Sequence, residues 1–205
     1  MSPQLGFHVD LAACSGCKTC QVACSDAHDL EGGRRFRRVV QVEGGEWARA
    51  GEAWIPGVFA YSLSISCMHC ERPACVDVCP TLAMTRRPDG IVAVDIDRCV
   101  GCRYCEWACP YGALRYDERA GRMSKCDFCA ADIDRGREPA CVASCPMRAL
   151  DWGGIEELRA RHGAVADVYP LPDPSLTRPS VVLTPHRHSV RGRAGTATVS
   201  NREEL

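Results

Sequence analysis

Alternation of apolar and polar positions is clearest in MTRRPDGIVAVDI, residues 84–96. Pro88-Asp89-Gly90 reads there as a turn, and the alternation from Ile91 to Ile96 as the return strand of a β-hairpin. ALRYDERAGRMSKC, residues 113–126, repeats the plan with a turn near Ala120-Gly121. GIEELRARHG, from Gly154 to Gly163, has helical spacing instead and predicts a short amphipathic helix stopped by Gly163. Residues 31–63 predict a strand-rich connection. From about Val165 the pattern changes: Pro170, Pro172, Pro174, Pro179 and Pro185 punctuate an Arg-rich stretch. Such a stretch predicts an extended tail, either disordered or laid along a partner, with the partner favoured. The longest run without Asp, Glu, Lys or Arg, Ala53 to Cys70, contains Pro56, Gly57, Ser62, Ser64 and Ser66. A membrane helix needs about 20 strongly apolar residues, so no direct membrane span is expected.

The cysteines change the picture. All 16 fall into four groups of four with none left over. The groups are Cys14, Cys17, Cys20 and Cys24; Cys67, Cys70, Cys75 and Cys79; Cys99, Cys102, Cys105 and Cys109; and Cys126, Cys129, Cys141 and Cys145. The third, CVGCRYCEWACP, is C-x2-C-x2-C-x3-C-P, the run of bacterial-type ferredoxins. The first, CSGCKTCQVAC, has that spacing but is followed by Ser25 where Pro would stand. The second and fourth stretch one gap, CMHCERPACVDVCP and CDFCAADIDRGREPACVASCP.

Three cysteines in a short loop can point at three corners of one iron–sulfur cube, while the fourth is carried toward another cube. Small residues such as Gly16 and Gly101 let backbone N–H groups turn toward the sulfurs. Four-cysteine zinc sites compete for this reading, but they seldom crowd three cysteines into seven residues before a fourth and a Pro. A disulfide framework suits small secreted domains, and crowded C-x2-C-x2-C runs pair poorly. Isolated redox or structural thiols would not come as four full quartets.

The quartets sit in a repeated frame. CPTLAM, CPYGAL and CPMRAL begin at Cys79, Cys109 and Cys145, while VDLAAC and VDIDRC end on Cys14 and Cys99. Cysteine loop, short helix and hairpin is the ferredoxin plan, and repetition suggests duplicated modules. The expected fold class is α+β: two ferredoxin-like modules of the bacterial 2[4Fe–4S] type, the second inserted in the first, plus the extended tail. Residues 1–63 and 119–163 would form the outer two-cluster module, 64–118 the inner one and 164–205 the tail. The spacing then pairs Cys14, Cys17, Cys20 and Cys145 around one cluster, and Cys24, Cys126, Cys129 and Cys141 around its neighbour. Cys67, Cys70, Cys75 and Cys109 would hold a third, and Cys79, Cys99, Cys102 and Cys105 a fourth.

Composition supports metals as folding partners. Hydrophobic residues make up 46% of the chain, but without cysteine the share falls to about 38%, below the usual apolar content. The net charge of −1 gives no footprint for nucleic acid. The N-terminus lacks a basic region followed by a long apolar one, so it does not read as a signal peptide. Arg34-Arg35-Phe36-Arg37-Arg38 is followed by VVQVEGGEW and not by an apolar segment, and reads as a solvated or partner-facing strand. Lys18, Arg103 and Lys125, beside candidate ligands, read equally as cations that stabilise anionic clusters or as surface residues. His69 lies between two candidate ligands, but each quartet is complete without it. There is no phosphate-binding glycine loop and no nucleophile–base grouping, so no catalytic residue is expected and the chain is not an enzyme by itself.

The chain resembles the iron–sulfur (B) subunits of anaerobic dimethyl sulfoxide reductases. The likeness is carried by CSGCKTCQVAC, Phe36-Arg37-Arg38, FAYSLSISCMHCERPAC, CVGCRYCEWACPYGA and RALDWGGIEELRARHG. The cysteine pattern alone is shared with four-cluster subunits of formate dehydrogenases and of nitrate, selenate and polysulfide reductases. The resemblance implies four [4Fe–4S] clusters, since Cys102 stands where some relatives lack a cysteine and hold a three-iron cluster. It implies electrons relayed from a membrane anchor subunit that oxidises menaquinol to a molybdopterin catalytic subunit that reduces a sulfoxide or N-oxide. It also implies peripheral attachment at the cytoplasmic membrane through the anchor, with the periplasmic face favoured by co-export with the catalytic subunit. A zinc-stabilised interaction module and a free-standing ferredoxin are the rival readings.

Overall fold

A computed structural model, which describes residues 3–31, 33–190 and 195–204, gives the three Cys-Pro-x-x-Ala motifs one local structure. The carbonyls of Cys79, Cys109 and Cys145 accept the amides of Leu82, Gly112 and Arg148 at 3.2, 3.3 and 3.3 Å. Each of those three donors is left-handed, with φ of 55°, 55° and 51°. Ala83, Ala113 and Ala149 come next and are almost completely buried, so a small side chain is needed there. A strand begins at the following residue, Met84, Leu114 or Leu150. Pro fits the second position because its fixed φ suits a turn.

The chain order is β1 (Leu5–Asp10), α1 (Thr19–Ala27), β2 (Arg38–Gly44), β3 (Trp47–Ala50), β4 (Ala53–Pro56) and β5 (Phe59–Ile65). Then come α2 (Ala74–Asp77), β6 (Met84–Arg86), β7 (Val92–Val94), α3 (Tyr104–Ala108), β8 (Leu114–Asp117) and β9 (Arg122–Lys125). The chain closes with α4 (Ala130–Ile133), α5 (Ala140–Ala143), β10 (Leu150–Gly154), α6 (Ile155–His162), β11 (Val181–Thr184) and β12 (Thr198–Val199). The architecture is a mixed one of short helices and small sheets.

The two hairpins read from the alternation are β6–β7 and β8–β9, both antiparallel. After the third motif the strand has no hairpin partner next in sequence. β10 pairs antiparallel with β1 instead, Leu5 opposite Gly154 and Val9 opposite Leu150. Helices from different quartets meet in the same crossed way, α1 on α5 and α2 on α3. The connection 31–63 is strand-rich, with β2 and β5 antiparallel from Arg38–Ile65 to Gly44–Phe59. Apolar residues of these strands and of β1, including Val40, Val42, Leu63 and Phe7, form the main core. A smaller core gathers Cys75, Ala83, Met84, Val92, Cys99, Cys105, Leu114 and Met123. The helix at Gly154–Gly163 forms as α6, ended by Gly163 at φ 85°. No described helix is long and apolar enough to cross a membrane.

Two expectations are corrected. The tail after Val165 is laid on this chain. β11 pairs in parallel with β1, and β12 adds to the edge of β2. Val168, Val181, Val182, Leu183 and Asn201 are buried, so short apolar runs between the prolines supply enough contact to dock it. Arg191 and Arg193 of the Arg-rich stretch lie outside the described residues. The second correction concerns Arg34–Arg38. Arg37 and Arg38 are 1% and 2% exposed, so this segment is not a solvated strand. Arg38 donates to the carbonyls of Glu204 (2.8 Å) and Tyr111 (2.9 Å), which compensates its burial by hydrogen bonding.

Candidate metal centres

The four cysteine loops share a backbone device. The residue before the second cysteine of each quartet is left-handed: Gly16 (φ 72°), His69 (42°), Gly101 (68°) and Phe128 (65°). Glycine takes this conformation freely. His69 and Phe128 are held in it by burial, at 1% and 0% exposure. Backbone amides from the loops and from other elements reach the sulfurs. Backbone N–H groups of Met84 and Met123 reach Cys79 Sγ and Cys99 Sγ, each at 3.5 Å. The amides of Gly16 and Arg37 act likewise on Cys14 and Cys24.

The fold brings together sulfurs that are distant in sequence. Cys14, Cys17, Cys20 and Cys145 line one concavity. Cys24 lies within electrostatic reach of Cys141 and Cys129, and Cys126 within reach of Cys24. Cys75 lies within electrostatic reach of Cys67, Cys109 and Cys70, as well as Lys125. Cys105 has Cys79 and Cys102, and Cys99 shares its small core. Cys126 also reaches Cys67, which places the second and third groups side by side. Cys17 and Cys102 are exposed, whereas Cys20, Cys24, Cys67, Cys75, Cys126, Cys129 and Cys141 are buried.

All sixteen thiols are free of disulfides. Burial pushes Cys24 and Cys70 up to about 12, with neighbouring thiolates adding to the effect. Cys126, completely enclosed, is raised well above the usual thiol range, by burial and then by Cys67 and Cys24. Such groups would be neutral thiols at pH 7 unless a metal replaced the proton. Exposed Cys17 goes the other way, lowered by hydrogen bonds from Thr19. Sulfur-only donor sets with inward amides fit iron–sulfur cubes, and they would hold the iron as four thiolates per cluster.

Sequence reasoning treated His69 only as an unneeded ligand, and the structure gives it another contact. Its Nδ1 accepts the amide of Val92 at 3.0 Å, and burial, with Lys125 and Arg37, keeps the ring neutral. The proton therefore sits on Nε2, which faces Cys126 Sγ at 3.7 Å and can donate to it. His28 was missed altogether. Its Nε2 lies 3.5 Å from Cys129 Sγ and 3.7 Å from Asp127 Oδ1. Only its position four residues after Cys24, on the way out of α1, could have signalled it. Of the three cations beside ligands, Lys125 is buried and donates to the carbonyls of Val92 and Cys126. Lys18 pairs with Glu204 at 3.4 Å, and Arg103 with Glu106 at 2.7 Å on the surface.

Comparison with known proteins points the same way. A family model described as a 4Fe-4S dicluster domain matches residues 58–155. The B subunit of anaerobic dimethyl sulfoxide reductase from Escherichia coli (strain K12) is 49% identical over 205 residues, covering 100% of both proteins. Its counterpart in Haemophilus influenzae is 46% identical over 187 residues, 91% of each protein. The thiosulfate reductase electron transfer subunit of Salmonella typhi is 42% identical over 150 residues, 72% of this chain and 74% of that one.

Proposed function

This protein belongs to the family of anaerobic dimethyl sulfoxide reductase B subunits, and from that premise we propose how it moves electrons and with whom. It is an electron-transfer protein with four [4Fe–4S] clusters, an iron–sulfur relay in a molybdopterin oxidoreductase. The clusters supply one-electron chemistry; the polypeptide holds them in line, excludes water from the inner ones and directs amides at their sulfurs.

The ligand sets of the relay are Cys14, Cys17, Cys20 and Cys145; Cys24, Cys126, Cys129 and Cys141; Cys67, Cys70, Cys75 and Cys109; and Cys79, Cys99, Cys102 and Cys105. The grouping of sulfurs across quartets supports this pairing. Two ferredoxin-like modules then divide the polypeptide. Residues 64–118 form the inner one, inserted between the parts 1–63 and 119–163 of the outer one. The pairing of β10 with β1, where a hairpin would otherwise follow the third motif, favours the insertion.

One observation carries the relay through the protein: the two exposed sulfurs, Cys17 and Cys102, belong to the first and last of these sets, and no sulfur of the other two sets is exposed. Electrons enter one end and leave by the other. Exposed apolar side chains surround both ends, Val22 and Met147 near the first group and Leu82, Val100, Tyr104 and Trp107 near the last. They suit docking to two partners, a membrane anchor that oxidises menaquinol and a molybdopterin catalytic subunit, so the chain is peripheral to the membrane and not catalytic alone. Full-length identity of 49% favours a sulfoxide or N-oxide as the terminal acceptor over thiosulfate, whose subunit matches less of the chain.

The test is iron and acid-labile sulfide content with EPR on anaerobically purified Cys17→Ser, Cys145→Ser and Cys141→Ser. Cys145→Ser should disturb the same cluster signal as Cys17→Ser. Disturbance of the Cys141→Ser signal instead would refute the crossed pairing, and zinc in place of about sixteen irons per chain would refute the relay.

A further inference from the structure

Arg37 is a buried cation with no carboxylate to answer it. Its side chain is 1% exposed, and among the described residues no acidic group pairs with it. Nη1 donates to Ser64 Oγ at 3.2 Å and to the Ser64 carbonyl at 3.5 Å. Nε and Nη2 have no hydrogen-bond partner. The guanidinium carbon lies 4.7 Å from the centroid of the Phe7 ring, and Phe7 stacks on Phe128 at 4.1 Å. Guanidinium cannot shed its proton in a protein, so burial cannot be relieved by neutralisation. An enclosed charge of this kind needs a counter-anion.

The anions within reach are sulfurs. The groups that act most strongly on Arg37 are Cys141, Cys20, Cys126 and Cys24. Ser64 links one of them directly, its hydroxyl lying 3.4 Å from Cys20 Sγ while it accepts from Arg37. The Arg37 amide also faces Cys24. These four cysteines belong to two clusters: with ligands shared across quartets Cys24, Cys126 and Cys141 serve one and Cys20 the other, and with ligands kept within quartets each cluster has two. Either way Arg37 faces sulfurs of both clusters.

We propose that Arg37 is the fixed counter-cation of the two outer-module clusters, placed between them so that each is easier to reduce. Thiolate-ligated clusters are anionic, and each electron accepted adds one negative charge beside a cation that cannot move or titrate. The reduced form therefore gains more from Arg37 than the oxidised form does, and the potential rises. Phe7 and Phe128 keep water from screening the charge, and Ser64 fixes the fork between the sulfurs. Arg37 is a positioning residue for electrons: it touches neither substrate nor a partner's cofactor.

This inference rests on the four-cluster reading and not on the ligand pairing. The test is an EPR-monitored redox titration of the cluster-loaded full-length protein in its complex, for wild type, Arg37→Met and Arg37→Lys. Arg37→Met should shift the reduction equilibrium of two clusters at least tenfold toward the oxidised form, about 59 mV for a one-electron couple. The other two should stay within threefold of wild type, and Arg37→Lys should leave all four there. Unmoved potentials in Arg37→Met, or equal shifts in both variants, would overturn the proposal. Should Arg37→Met fail to load iron, Arg37→Lys decides: full loading with near-native potentials supports the counter-cation, and failure of both overturns it. A wild-type protein holding zinc and giving no EPR signal would instead mark failure of the four-cluster reading itself.

Discussion

Glu204 ties the end of the chain to the first cysteine loop, and replacing it by Ala should loosen one cluster. Glu204 is 1% exposed. Its Oε1 accepts from Arg35 at 2.9 Å, Gln21 at 3.1 Å and Lys18 at 3.4 Å. Lys18 lies between Cys17 and Cys20, and Gln21 is in α1. The Gln21 bond is buried and is worth about 1.5 kcal/mol as a hydrogen bond to a charged group. The Lys18 and Arg35 side chains are 38% and 40% exposed, so solvent screening holds each of those pairs to about 0.7 kcal/mol. Glu204→Ala should therefore cost about 3 kcal/mol, and Glu204→Gln, which keeps the oxygen but not the charge, about half as much. Expressed as local opening, 3 kcal/mol raises cluster exposure by about 150-fold. Iron release to a chelator under anaerobic conditions reads this directly. One quarter of the iron should leave early in Glu204→Ala, with Glu204→Gln intermediate. Deletion of 198–205 should act more strongly, since Asn201 also accepts from Gln41 at 2.7 Å and donates to Val39 at 2.9 Å. Release at the wild-type rate from all four clusters of Glu204→Ala would refute the reasoning.

His8 gives a pH dependence that is independent of the clusters. It is 4% exposed, stacks on His162 at 3.7 Å and lies 2.9 Å from Thr184 Oγ1. Burial, then the charge of His162, lower it to about 4, against attraction from Asp10 and Asp151. A histidine depressed on folding binds protons more tightly when unfolded, so stability falls as pH drops from about 6.5 toward 4. The loss should be about 0.8 kcal/mol by pH 6. Denaturant unfolding at pH 7.5 and 6 should show it in wild type and not in His8→Gln; equal slopes would exclude His8 as the source. Gly101 tests the loop device. A methyl there would meet the carbonyl oxygen of Gly121 at a left-handed φ of 68°, whereas Gly51, at φ 64°, faces open space. Gly101→Ala should lower iron content by about one quarter while Gly51→Ala costs only about 1 kcal/mol of backbone strain; equal iron in both would refute the steric argument.

Much of the fold and of the site was legible in local spacing. A cysteine loop of this kind is a few residues long, so its residue types and gaps carry its chemistry, and hairpins such as 84–96 announce themselves by alternation and a Pro-Asp-Gly turn. Gly16 and Gly101 were readable as places where amides must turn inward. His69 and Phe128 hold the same backbone position without glycine, and only their burial explains how. The tail misled because five prolines dominate its composition, while Val181–Leu183, which docks it, is too short a run to show a period. Arg37 misled because arginine is normally solvated, and nothing within five residues of it in sequence is its counter-charge.

Short stretches of the sequence are enough to set the kind of chemistry: sixteen sulfur donors in quartets, and turns that start three of the strands. The tertiary structure decided which sulfurs stand together, that the C-terminal end braces the first loop, and that Arg37 lies inside among thiolates. The division has a physical cause. Ligand type and turn geometry are set by bonds and clashes among near neighbours, whereas burial and the electrostatics of an enclosed charge depend on which distant segments close over it.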